Sequence, residues 1–107
     1  MSSSVDDDYS KMRSKGNEFF IQGNFALAEE VYSEILQKFD NDTSIILTNR
    51  SAARLSLGKI NDALDDAERA IEKDPKWMKA YYRKASALEI LQRYISCRAI
   101  IPLLCNL

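Results

Sequence analysis

Histidine is absent from the 107-residue sequence, and other residues on which enzymatic sites depend are scarce. Without histidine, no Ser-His-Asp or Cys-His catalytic arrangement can form, and a zinc site would lack one of its usual ligands. Only three glycines are present, and no glycine-rich phosphate-binding loop occurs. We therefore expect a protein that is not an enzyme and that carries no metal and no cofactor.

Cysteine is scarce as well. Cys97 and Cys105 lie close to the end of the sequence, without the further cysteines that a disulfide framework needs. Their separation by eight residues gives no chelating geometry on a helix, since it places them on different turns. We expect buried, reduced thiols in a cytoplasmic protein.

Long hydrophobic runs are missing too. The longest, Ile95–Leu107, is interrupted by Ser96, Arg98 and Pro102, and it is shorter than the ~20 residues that span a bilayer. The first eight residues include three serines and three aspartates, without the basic flank and apolar stretch of a signal peptide. We predict no membrane insertion and a short disordered acidic leader over residues 1–8.

Charge is balanced over the whole chain but uneven along it. Fifteen basic and sixteen acidic residues give a net charge of -1, which argues against a nucleic-acid-binding surface. Between positions 76 and 98, however, Glu89 is the only acidic residue. The basic residues of this segment are Lys76, Lys79, Arg83, Lys84, Arg93 and Arg98.

Helix-forming residues are abundant, and they follow an internal repeat. The positions of Gly23, Gly58 and Gln92 are separated by 35 and 34 residues, and such a period is typical of stacked helical units. After each of the two glycines, apolar residues at helical spacing mark an amphipathic helix. Two further sets of residues share the repeat register, namely Ala28, Ala63 and Cys97, and Tyr32, Ala67 and Ile101.

Turn-forming pairs of residues set the expected boundaries of these helices. Gly23-Asn24 and Gly58-Lys59 can close the first helix of each pair, and Asp74-Pro75 ends the fourth helix. The sequence predicts an all-α fold with helices at roughly 9–22, 25–38, 43–57, 60–73, 76–91 and 94–101.

These patterns resemble the tetratricopeptide repeat family. The resemblance implies a right-handed superhelical stack of about three helical hairpins, over residues 9–43, 44–77 and 78–101. The third repeat is expected to be incomplete, because Pro102 falls inside its second helix and a proline there removes a backbone hydrogen bond. The segments that carry the resemblance are Lys15-Gly16-Asn17, Asn24-Phe25-Ala26-Leu27-Ala28, Asn49-Arg50-Ser51-Ala52-Ala53 and Ala70-Ile71-Glu72-Lys73-Asp74-Pro75.

Five polar residues fall on the first helices of the hairpins, which line the concave surface of such a stack. Lys79 and Arg83 are four residues apart, so they place like charges side by side, at a cost of about 0.2–0.5 kcal/mol unless an anion lies between them. Asn17 and Asn49 add amide donors, although asparagine is a mediocre helix residue. Together with Arg13, they predict a site for two carboxylates.

The same five positions are similar to the two-carboxylate clamp of the chaperone-binding subset of the family. Four match by identity, whereas Arg13 stands where the subset more often has lysine, which keeps the charge but changes the reach. The resemblance implies binding of the Glu-Glu-Val-Asp C-terminal peptide of cytosolic heat-shock chaperones of the seventy- and ninety-kilodalton classes. It also implies weaker contacts from Phe20, Ala52, Leu55, Glu89 and Ile90.

Two other functions stay open at this point. The groove could hold a different partner, such as an internal acidic segment or a helix, and residues Ile95–Leu107 could pair two chains. We interpret Trp77, Tyr81 and Tyr82 as packing between hairpins. We interpret the acidic residues of the fourth helix as a solvated face and not as a metal site, namely Asp62, Asp65, Asp66 and Glu68.

Overall fold

Five α-helices follow one another in the computed structural model, which describes the backbone of residues 4–105 and the side chains of residues 7–96. The helices are α1 (Ser4–Ile21), α2 (Phe25–Lys38), α3 (Thr43–Ser56), α4 (Ile60–Lys73) and α5 (Met78–Cys105). α1 pairs with α2 and α3 with α4 as two hairpins, and α5 packs on α4 and α3. The predicted all-α class and the stack of helical hairpins are therefore confirmed.

Glycine residues close both hairpins. Gly23 and Gly58 have φ angles of 83° and 81°, in the left-handed region that glycine occupies without steric cost. The next amide groups bond back into the preceding helix, from Asn24 N to Phe19 O and from Lys59 N to Arg54 O, both at 2.8 Å. α2 and α4 start directly after these turns and have the predicted bounds.

The third repeat is not a hairpin, so the prediction of separate helices at 76–91 and 94–101 was wrong. α5 continues without a turn through Gln92, which stands in register with Gly23 and Gly58. A residue with a Cβ is costly at positive φ, so the helix does not reverse there. α5 also runs past Pro102, although a proline in a helix interior removes one backbone hydrogen bond and crowds the carbonyl group four residues before it. The helix end predicted at residue 101 was therefore also wrong.

The first helix begins earlier than predicted. α1 starts at Ser4, so residues 4–8 of the predicted leader are helical. Acidic side chains are favourable at a helix N-terminus, and Asp7 also pairs with Lys11 one turn later at 3.2 Å. Residues 1–3 lie outside the described part of the chain, as do the side chains of Cys97, Cys105 and the rest of the predicted pairing segment beyond residue 96. None of the helices in the described part is both long and apolar enough to cross a bilayer.

Small residues allow the helices to approach closely. Ala28, Ala63 and Ala67 are fully buried. A Cβ on Gly16 would lie 2.7 Å from Cε1 of Tyr32, so the Tyr32 ring rests directly on the backbone of α1. Close packing in the first hairpin therefore depends on the absence of a side chain at residue 16.

The aromatic residues around the start of α5 differ in burial. Trp77 packs against a core cluster that contains Leu47, Ala70 and Ala80, as predicted. Tyr81 and Tyr82 are 40% and 63% exposed, so their predicted packing role was wrong. The reason is that no second helix of a third hairpin covers this part of α5 among the described residues.

A buried network of ion pairs joins α2, α3 and α4. Asp66 is fully buried and accepts hydrogen bonds from Arg50 Nε at 2.9 Å, Arg50 Nη2 at 2.7 Å and Arg54 Nη1 at 2.9 Å. Arg54 Nε donates to Glu29 at 2.7 Å, and Lys59 Nζ donates to Glu29 at 2.9 Å. Asp66 is thus not part of a solvated face, because two arginines of α3 surround it.

The pKa of Glu29 reflects its place in this network. Burial acts to raise the pKa of its carboxyl, but the hydrogen bonds from Lys59 and Arg54 outweigh that effect and lower the pKa below its ordinary value. The network therefore favours the charged form of Glu29 and connects the first hairpin to the second.

We expect the substitution Asp66→Asn to destabilise the fold by about 3–5 kcal/mol, because it leaves the charges of Arg50 and Arg54 without their buried partner. Urea unfolding followed by circular dichroism measures this difference. Asp65→Asn is the matched control, since Asp65 is exposed and should change the free energy of unfolding by less than about 0.5 kcal/mol. Equal effects of the two substitutions would contradict the structural role of Asp66.

Candidate functional site

A cavity of about 380 Å³ opens between α1, α3 and the first turns of α5. Its lining combines amide and cationic side chains with an apolar base, and it contains no carboxylate. The structure brings together four of the five predicted clamp residues, namely Asn17, Asn49, Lys79 and Arg83, and two of the predicted apolar contacts, Phe20 and Ala52. The remaining lining residues are Ile21, Tyr32, Ile45 and Trp77.

The amide of Asn17 is oriented by a buried tyrosine. The Tyr32 hydroxyl donates a hydrogen bond to Asn17 Oδ1 at 2.6 Å, and Asn49 Nδ2 makes a longer bond of 3.5 Å to the same oxygen. Burial raises the pKa of Tyr32 to about 12, so the hydroxyl keeps its proton at neutral pH. Because its oxygen is occupied, Asn17 has its NH₂ group left to donate to a ligand.

Lys79 is held at the cavity by aromatic contact. Its Nζ lies 5.7 Å from the centroid of the Trp77 ring, within the range of a cation–π interaction. The ring is itself fixed, because Trp77 Nε1 donates to Thr48 Oγ1 at 3.1 Å. The ammonium group is therefore positioned without a carboxylate partner in the part of the chain that the structure describes.

Arg83 carries an unused donor. Its Nε is buried and has no hydrogen-bond partner among the described residues, and its guanidinium carbon lies 5.1 Å from the centroid of the Tyr82 ring. A buried donor without an acceptor costs about 1–3 kcal/mol. Lys79 and Arg83 thus belong to a cavity lining that contains no carboxylate among the described residues, so the site favours an anionic ligand.

Arg13, the fifth predicted residue, does not line the cavity. Its Nη1 lies 3.7 Å from Asp42 Oδ2, and its guanidinium carbon lies 5.6 Å from the centroid of the Tyr9 ring. Asp42 also accepts a hydrogen bond from the Tyr9 hydroxyl at 2.9 Å. The carboxylate of Asp42 therefore interacts with Arg13. Asp42 lies between α2 and α3 and has a φ angle of 47°.

Three of the weaker predicted contacts also lie outside the cavity lining. Leu55 is half-buried farther along α3. Glu89 pairs with Arg93 Nη2 at 2.9 Å, and Ile90 is 40% exposed on α5. Both α5 residues lie beyond the turns that form the cavity, so a longer ligand would be needed to reach them.

Four lining residues were missed from the sequence, and two of them had a usable signal. Ile21 and Ile45 are each four residues from a predicted member of their own helix, Asn17 and Asn49, so helical spacing could have found them. Tyr32 reaches the site from α2 only because residue 16 lacks a side chain. No sequence pattern indicates that approach.

A second cavity, of about 430 Å³, lies beside the first and has the opposite character. Its charged lining residues are Asp40, Asp42, Lys73 and Asp74. The two cavities share Ile45. An anion is therefore favoured on one side of Ile45 and disfavoured on the other.

The chain is similar in sequence and in structure to known proteins, although no protein-family profile matches it. The chain is 41% identical over 86 residues to the STIP1 homolog of Dictyostelium discoideum, in an alignment that covers 75% of this chain and 15% of that protein. The chain thus spans only a small part of the length of this relative.

Two solved structures resemble the chain over about four fifths of its length. The TPR2B domain of yeast Sti1, in complex with pHsp70, is 32% identical with a TM-score of 0.75, over 82% of this chain and 70% of that one. The second TPR of Spaghetti (RPAP3), bound to the HSP90 peptide SRMEEVD, is 28% identical with a TM-score of 0.73, over 79% and 78% of the two chains.

We expect the ionisation of Tyr32 to lower the free energy of unfolding as the pH rises into the alkaline range. Its folded-state pKa of about 12 exceeds the ordinary value of 10, so its contribution is complete below pH 10 and is lost as the pH rises from 10 to 12. The difference amounts to roughly 2–3 kcal/mol.

Urea unfolding at several alkaline pH values should show a smaller decline in the free energy of unfolding for Tyr32→Phe than for the wild type. Tyr82→Phe, at an exposed position, should behave as the wild type does, and an unchanged decline in Tyr32→Phe would refute the assignment.

Proposed function

The chain belongs to the tetratricopeptide repeat family, and from this premise we propose that it is a co-chaperone module that binds the acidic C-terminal peptide of a heat-shock chaperone. The observation that carries the proposal is the cationic end of the first cavity, where Lys79 and Arg83 belong to a lining that contains no carboxylate. We also propose that the chain acts in the cytoplasm by binding and not by catalysis.

The chemistry of a C-terminal aspartate suits this cavity. Such a residue presents its side-chain carboxylate and the chain-end carboxylate within a few ångströms of each other. Lys79 and Arg83 supply charge-assisted donors, and the NH₂ group of Asn17 supplies a neutral one. Hydrogen bonds to the carboxylate oxygens then compensate for the loss of their hydration, whereas an isolated buried charge would have no such bonds.

The apolar base of the cavity supports a peptide with an aliphatic residue beside its acidic end. Phe20, Ile45 and Ala52 lie within the same lining as the cationic residues. Burial of one aliphatic side chain there would contribute about 1.5–3 kcal/mol. The sequence Glu-Glu-Val-Asp combines both features, since valine precedes the terminal aspartate.

The relatives are consistent with this ligand class. The solved Spaghetti domain is bound to an HSP90 peptide that ends in Glu-Glu-Val-Asp, and the solved Sti1 domain is in complex with pHsp70. The chain covers 15% of the Dictyostelium relative, so any activity of a larger protein around this module is outside the proposal.

Calorimetric titration with a Glu-Glu-Val-Asp peptide tests the proposal. We expect binding that weakens at high salt, and at least about tenfold weaker binding of the C-terminally amidated peptide, which lacks one carboxylate. Arg83→Ala should weaken binding by at least about tenfold, because it removes a buried charged partner. Lys76→Ala is the control, since Lys76 is exposed and does not line the cavity. Equal binding of the free and amidated peptides would exclude the carboxylate clamp.

The same titration tests the part that Arg13 plays. Because Asp42 engages Arg13, Asp42→Asn should free the guanidinium for the peptide and tighten binding by about 1.5- to 5-fold, the range that corresponds to an exposed ion pair of 0.2–1 kcal/mol. Asparagine also tolerates the positive φ at residue 42. Adding Arg13→Ala to this variant should remove the gain, whereas Asp40→Asn should leave binding as in the wild type. Affinity unchanged in Asp42→Asn would show that Arg13 takes no part.

A further inference from the structure

One side of α5 carries apolar residues that are partly exposed in the described part of the chain. Tyr81 and Leu88 are 40% and 46% exposed. Ala85, which is also exposed, lies between them at helical spacing. These three residues follow one another at intervals of four and three, so they lie on one side of the helix. We call them the open face of α5.

The equivalent positions in the two complete hairpins touch the second helix of their own hairpin. Ala85 is in register with Gly16 and Ser51. A Cβ on Gly16 would lie 2.7 Å from Tyr32 of α2, and Ser51 Oγ donates to the carbonyl oxygen of Ala63 in α4 at 2.7 Å. The open face therefore has the small central residue that a closely packed second helix needs.

The far half of α5 has the register of such a second helix and nearly its length. Residues 94–105, which are in register with the starts of α2 and α4, number 12, against 14 in each of those helices. Cys97 is in register with Ala28 and Ala63, which are both fully buried. The sequence therefore contains the second helix of a third hairpin, although the chain does not reverse to form one.

The continuous helix keeps these two halves apart within one chain. At 1.5 Å per residue, residue 101 lies about 24 Å along the axis from Ala85, whereas the two would be neighbours in a closed hairpin. Gln92 cannot easily supply the left-handed turn that Gly23 and Gly58 supply. While α5 is continuous, its far half therefore cannot cover the open face of its own chain.

We propose that two copies of the chain exchange the far halves of α5, so that the helical segment 94–105 of each copy packs on the open face of the other. The arrangement is two-fold symmetric, and exchange of an identical element is a low-cost route to a dimer. Each copy would complete the third hairpin of its partner without a turn at residue 92.

The exchange leaves the first cavity accessible. Arg83 lies about 160° around the helix from Tyr81, because successive residues of an α-helix rotate by about 100°. The open face and the cavity thus occupy different sides of α5. The inference is independent of the proposed peptide binding for this reason.

Sedimentation velocity of the full chain over a wide range of concentration tests the exchange. We expect a dimer for the wild type and for Gln92→Ala, which keeps the helix continuous. Gln92→Gly should give a monomer, because glycine allows the chain to reverse and fill its own open face. Far-UV circular dichroism checks that each variant is folded.

A second pair of variants tests the surface itself. Ala85→Glu places a charge in the centre of the open face and should give a monomer, whereas Ile90→Glu, on the other side of α5, should remain a dimer. A monomeric wild type, or a dimer that survives Ala85→Glu, would overturn the inference. If Ala85→Glu is a monomer but Gln92→Gly remains a dimer, the proposed exchange of helices is also overturned.

Discussion

The buried carboxylate of Asp66 holds α3 in place, and the geometry of the cavity depends on α3. Arg50 and Arg54 connect that helix to α4, and the bond from Arg54 to Glu29 connects it to α2. α3 in turn carries Asn49, Ile45 and Ala52 into the cavity lining. A shift of α3 along its axis would break the bidentate pair at Asp66. The positions of Asn49, Ile45 and Ala52 in the cavity thus depend on ion pairs that another side of the same helix forms.

Four arginines of this chain differ in how their charges are neutralised. The difference distinguishes the arginines that are paired within the fold from the one that lines the first cavity. Arg50 and Arg54 are matched by buried carboxylates within the fold. Arg13 is matched by Asp42 at the surface, through a longer contact. Arg83 keeps a buried donor unsatisfied among the described residues. A fully paired arginine contributes to the fold, whereas an arginine without a carboxylate partner in a cavity is available to an anionic ligand.

Much of this organisation could be predicted from the sequence, because it depends on local spacing. The bounds of α2 and α4 follow from the glycines before them, and Lys79 and Arg83 share a side of α5 because they are four residues apart. Contacts between distant segments could not be predicted in this way. The approach of Asp42 to Arg13 and the burial of Asp66 both depend on how separate helices meet. The continuity of α5 was indicated by Gln92, but the repeat pattern favoured a hairpin.

The turn positions of the repeat have a consequence for how each repeat closes. At Gly23 and Gly58 the backbone enters the left-handed region and the unit is finished. At Gln92 it does not, and the unit remains unfinished while the helix grows longer. We therefore expect the amino acid at this one recurring position to decide whether a repeat closes into a hairpin. A single substitution there would then move the boundary of the last repeat.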